Sequence, residues 1–173
     1  MKRVCVVGGD PAAIIAACAL EDGLWGRRNV QISFIHKDPF VDWDPLMPEV
    51  ASGAMSSRTA RIRIEDVLDT ERVRLVADEI GALDMEARVL RGSNGGEYPF
   101  DLLVVAPRAT YLSSPGQWLP YETVTDAARV SRAVMSQASA VVASPSQQKL
   151  LVRGDGVRAI ELATGLSWGC DDA

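Results

Sequence analysis

Two glycines, a carboxylate and a proline stand together at Gly8-Gly9-Asp10-Pro11-Ala12-Ala13, directly after the apolar run Arg3–Val7. Where a strand ends in a tight glycine turn and a helix begins, backbone N–H groups converge and favour an anion, commonly the pyrophosphate of a dinucleotide. The pattern for that chemistry is G-x-G-x-x-G, with alanine tolerated at the end. Gly8 holds the first position and Ala13 the last, but Asp10 stands at the middle one, where backbone must approach the phosphate. Two unit charges about 4 Å apart at an effective dielectric near ~20 repel by roughly 4 kcal/mol. Asp10 therefore either opposes the guest or turns to cap its own helix, as aspartate does readily. It fills the phosphate's space in both cases. A second run, Gly154-Asp155-Gly156-Val157-Arg158-Ala159, satisfies G-x-G-x-x-A and is followed by Ile160-Glu161. Arg153, just before it, sits where a buried strand residue belongs.

The elements that must position these residues are legible from periodicity. Arg3–Val7 and Val30–Ile35 read as parallel strands around a helix from Pro11 to about Asp22, a compact βαβ unit. Residues 38–63 carry prolines and aromatics but also Leu46, Met47, Val50 and Met55, so they form an ordered segment, with a short helix at Ile64–Leu68. Val73–Ala77 reads as a third parallel strand. Turn chemistry at Asp84-Met-Glu-Ala87 and Ser93-Asn-Gly-Gly96 divides the next stretch into an antiparallel meander. Leu102–Ala106 returns as a buried strand. A helix capped by Thr125 runs to about Ala138, then a strand at Lys149–Val152 and a helix at Val157–Trp168 complete the chain. The expected fold is α/β: a Rossmann-like parallel sheet with a β-meander insertion and a truncated second βα unit. A boundary is expected between a domain over residues 1–124 and a connecting helix plus remnant βα unit over 125–173.

Composition narrows the function. With 173 residues, 47% of them apolar, the chain can bury a core. A net charge of −5 with no basic cluster gives nucleic acid nothing to bind. Cys5, Cys18 and Cys170 are far apart and His36 is the single histidine, so neither a zinc site nor a disulfide framework is expected. The first strand starts at residue 3 and no apolar run approaches membrane-spanning length, which predicts a cytoplasmic protein without a signal peptide or transmembrane segment. Attachment to a membrane would run through a partner.

The order of these motifs, including Gly95-Gly-Glu-Tyr-Pro-Phe-Asp-Leu-Leu-Val-Val-Ala106, is similar to that of flavoproteins with two dinucleotide-binding domains. Trp43-Asp-Pro-Leu-Met-Pro-Glu-Val-Ala-Ser-Gly-Ala-Met-Ser-Ser57 resembles the P-L-L-x-x-V-A-x-G-x-L-S segment that borders the flavin in type II NADH dehydrogenases. A thiol-using relative is disfavoured because no cysteine lies between Asp22 and Gly169. The resemblance implies the amino-terminal, FAD-binding half of such an enzyme, which passes hydride from NADH through flavin to a quinone. It also implies a vestigial FAD site at Gly8, Gly9, Asp10, Pro11, Ala12, Ala13, His36, Lys37, Ala106 and Arg108. A vestigial NADH motif falls at Gly154, Gly156, Ala159 and Glu161. His36 stands where the family carries an acidic residue for the ribose, and Ala106-Pro107-Arg108-Ala109 replaces the family's A-T-G-S turn. Arg108 has two candidate partners, Asp10 and a phosphate. No residue is singled out as catalytic or metal-binding.

Three functions remain. The first is a non-catalytic accessory or assembly subunit, a pseudoenzyme with no cofactor expected. A partner chain or a second copy would then cover the apolar face of the last helix (Ile160, Leu162, Ala163, Leu166, Trp168), unless its own sheet does. The second is a flavin-dependent NADH:quinone oxidoreductase holding FAD, completed by a partner chain. The third is a sensor of AMP or ADP.

Overall fold

The computed structural model describes residues 1–24, 29–108, 118–143, 150–154 and 156–171. In chain order the elements are β1 (Lys2–Val7), α1 (Pro11–Gly23), β2 (Val30–Ile35), β3 (Phe40–Asp42), α2 (Met47–Ala51), β4 (Arg61–Arg63), β5 (Val73–Val76), β6 (Ile80–Asp84), β7 (Val89–Gly92), β8 (Glu97–Pro99), β9 (Leu102–Val105), α3 (Val124–Ala143) and α4 (Val157–Asp171). Contacts separate the chain into two compact units, Met1–Asp42 with Ile62–Ala109, and Trp43–Arg61 with Thr110–Ala173. The sequence suggests one boundary at 124/125, whereas the segment 43–61 joins the later unit. Among the described residues no helix is long and apolar enough to cross a membrane.

The first unit is the Rossmann-like part. Its four parallel strands lie in the order β5-β2-β1-β9, with Val4 opposite both Ile32 and Leu102, and Ile32 opposite Val73. Alternation puts Val4, Val6, Ile32 and Phe34 in one core with Ala13, Ile14 and Ala17 of α1. Small alanines let this helix approach the strands closely. Cys5 and Ile35 belong to a second core with Leu90 and Phe100, where the meander β6-β7-β8 supplies the cover. Burial raises the pKa of the Cys5 and Cys18 thiols, which are both free. Cys170 lies outside the residues whose side chains are described.

One carboxylate organises the meander. Asp78 is 3% exposed, and its oxygens accept from Glu79 N at 2.8 Å, Asn94 N at 3.3 Å and Tyr98 Oη at 2.7 Å. A Cβ on Gly92 would overlap that carboxylate, so a glycine is needed there for close approach.

Leu102–Ala106, expected to be a buried strand, is an edge of this sheet: Leu102 is 49% and Val105 56% exposed. The apolar run fits a central strand, but strand order is a tertiary property that a run of valines does not encode.

The second unit is helical. Met47, Val50 and Ala51 of α2 pack with Val124, Ala127 and Val130 of α3 and with Leu162 and Leu166 of α4. The cap of α3 is Thr123, not Thr125. Asp126 N donates to Thr123 Oγ1 at 3.1 Å while the Asp126 carboxylate accepts from Thr123 N at 3.1 Å, a reciprocal capping box. The strand expected at Lys149–Val152 is absent from residues 150–152, and Arg153 is exposed rather than buried. The apolar face of α4 is covered in part, by α2 and α3 rather than by a sheet. Leu162 and Leu166 are buried there while Ile160 stays 69% exposed. The Trp168 side chain lies outside the described residues.

Candidate functional site

The strand ends bring most of the residues expected at a first nucleotide loop together. Gly8 follows β1 with φ of +150°, and a Cβ there would overlap the Ala106 carbonyl. Gly8 N donates to Ile35 O at 3.3 Å and Ala106 N to Val7 O at 2.8 Å, so the turn is stitched to both neighbouring strands. A Cβ on Gly9 would run into the His36 ring. Desolvation holds the His36 pKa below its ordinary value, which keeps the imidazole neutral at neutral pH, although Asp38 and Asp42 pull the other way.

Asp10 caps α1. Its backbone is extended (φ −90°, ψ 146°), and Oδ1 accepts from Ala12 N at 2.9 Å. Pro11 occupies the first helical position, where its missing N–H costs nothing. Ala13 is fully buried against the sheet and serves packing. The two cations of the loop are engaged with protein atoms. Lys37 pairs with Glu79 at 3.0 Å, and Arg108 donates to the backbone carbonyl of Asp42 at 3.3 Å, a partner not anticipated from sequence.

A dinucleotide cofactor would need its phosphate at the start of α1. There the Asp10 carboxylate already occupies the Ala12 donor. The residues present do not fit the pyrophosphate of FAD at that point.

The second run serves its own unit. A Cβ on Gly154 would press on the Ala159 Cβ, and Ala159 N donates to Gly156 O at 3.1 Å, so Gly154, Gly156 and Ala159 form the tight start of α4. Glu161 is exposed. Arg158, within the same run, bridges the Asp44 carboxylate and Glu122 Oε2, the latter at 3.3 Å. The Tyr121 hydroxyl is buried without a hydrogen-bond partner, and burial with the nearby Glu161 and Glu49 carboxylates pushes its pKa up. Neither the Arg158 bridge nor the Asp78 cluster was visible in sequence, because their partners meet only in the folded chain. Among the described residues no group of ligating side chains could hold a metal.

Residues 2–169 match the family model described as pyridine nucleotide-disulphide oxidoreductase. No curated protein matches the chain. The fold is similar to that of sulfide:quinone oxidoreductase from the hyperthermophilic bacterium Aquifex aeolicus, with a TM-score of 0.72 and 19% identity over 84% of this chain and 33% of that one. NDH2 from Plasmodium falciparum in complex with NADH gives 0.64 and 11%, covering 84% of this chain and 31% of its own. Putidaredoxin reductase in its covalent complex with putidaredoxin gives 0.73 and 18%, over 97% and 40%. At these identities the likeness is one of fold. The chain spans about a third of the length of the first two.

Proposed function

Because the chain belongs to the pyridine nucleotide-disulphide oxidoreductase family, as its amino-terminal FAD-binding half, its starting point is a flavoprotein fold, and we propose that this member uses that fold without catalysis. In this proposal it is an accessory or assembly subunit, a pseudoenzyme acting through contacts with another protein chain. The observation that carries the proposal is the Asp10 carboxylate on the Ala12 N–H, where the motif would receive pyrophosphate. Chemistry in this class is done by the cofactor, and the protein's part is to bind and orient it. A loop filled by its own side chain gives up that part first. Gly8, Gly9 and Ala13 then persist for the turn and for packing, and no cofactor is held.

The acting surface is the outside of the fold. Leu150, Leu151, Val157 and Ile160 of the second unit are each more than half exposed, and large apolar side chains in that state suit cover by a partner. The same proposal puts the protein in the cytoplasm, with any attachment to a membrane running through that partner. A flavin-dependent NADH:quinone oxidoreductase completed by a second chain would share the partner and differ in chemistry. Isolated gently from its source, the protein is expected to travel as a salt-resistant complex that does not oxidise NADH when FAD and a quinone are added. A monomer, or quinone reduction that disappears when this chain is removed, would contradict the proposal.

A further inference from the structure

We propose that Asp10 is the resident anion of the first nucleotide loop, an autoinhibitory cap that closes the loop to phosphate by occupying its donors. The inference rests on the function proposed above and specifies how that site is closed. A helix start offers an anion the N–H groups of its first turn. In α1 the first of these does not exist, because Pro11 stands at that position. The second, Ala12 N–H, is held by Asp10 Oδ1 at 2.9 Å. The third, Ala13 N–H, is held by the Asp10 carbonyl at 2.9 Å. One residue thus takes the two donors that follow Pro11 in the first turn, with its side chain and with its backbone.

Occupation and charge repulsion are different mechanisms, and they predict different variants. Repulsion would vanish in Asp10→Asn, which loses the charge. Occupation would persist there, since the asparagine oxygen caps the same N–H nearly as well. Only removal of the acceptor frees Ala12 N–H for a guest. Gly9, where a Cβ would meet the His36 ring, is left in place in every variant, so the comparison isolates the cap.

The test is a calorimetric titration of the full chain, with its partners retained, using inorganic pyrophosphate and ADP as probes. Wild type and Asp10→Asn should take up neither, whereas Asp10→Gly should bind pyrophosphate at least about tenfold more tightly than both. Asp10→Ala removes the same acceptor without adding backbone freedom, and it replaces the glycine variant should that one fail to fold. If Asp10→Asn gains as much as Asp10→Gly, charge rather than occupation closes the loop and the inference is overturned. No gain in either acceptor-free variant overturns it as well, and leaves the proposed function standing when the wild type carries no flavin. Flavin on the wild type would remove both.

Discussion

Gly8→Ala should cost about 3 kcal/mol or more of folding stability, read as a fall in the urea midpoint at constant slope. Gly8 is buried at φ +150°, a conformation that side chains rarely adopt, and its Cα faces the Ala106 carbonyl, where a Cβ would overlap backbone. Backbone strain and overpacking each cost about 1–3 kcal/mol, and neither neighbour can yield, because Ala106 N is bonded to Val7 O. Gly156→Ala is the internal control: nothing lies within 4 Å of a Cβ there, and its cost should not exceed about 1 kcal/mol, the loss of a glycine at a helix start. A Gly8→Ala protein as stable as wild type would show that the glycine is not held by the fold. The outcome bears on function, since a glycine required by the turn persists whether or not phosphate ever approaches it.

The second large effect concerns acid. Hydrogen bonding from Tyr98 and from backbone amides lowers the Asp78 pKa, and backbone bonding from Arg3 lowers that of Asp101. A carboxyl with a folded pKa below its unfolded value of about 4 stabilises the fold fully above that value. That stability is lost as pH falls through the folded value. His36 contributes on the same side for a different reason. Its folded pKa is lowered by desolvation, so the unfolded state binds the extra proton first and stability declines as pH drops below about 6.5. Stability should therefore be level at neutral pH, sag slightly below about 6.5 and fall steeply below about 4. His36→Gln should remove the shallow step. Asp78→Asn should flatten the steep one, and Asp78→Ala, which removes the acceptor, should speed hydrogen exchange of the Glu79 and Asn94 amides, both of which donate to that carboxylate. Unchanged exchange at those two amides would show that Asp78 does not hold the meander.

The local parts of this architecture were legible because local chemistry specifies them. Glycines 8 and 9, Pro11 and the apolar run Arg3–Val7 mark a strand, a turn and a helix without outside help. The Asp10 cap stands in the sequence as one of two options, and only the folded chain chooses between them. The capping box of α3 was also there to be read, as a threonine three residues before an acid (Thr123 and Asp126), but Thr125 drew the cap instead. Other features have no local signal. The edge position of β9 follows from strand order. Leu150-Leu-Val152 looks like a strand, yet the described residues take none. Arg158 and Asp44 lie 114 residues apart, a separation at which charge in a sequence names no partner.

In the proposed function the first nucleotide loop holds its own carboxylate in place of a cofactor. The most direct test is the visible spectrum of the protein purified from its source with partners retained, followed by titration with FAD. No flavin band belonging to this chain and no uptake of added FAD are expected. A band near ~450 nm at about one flavin per chain, lost when this chain alone is removed, would contradict the proposed function.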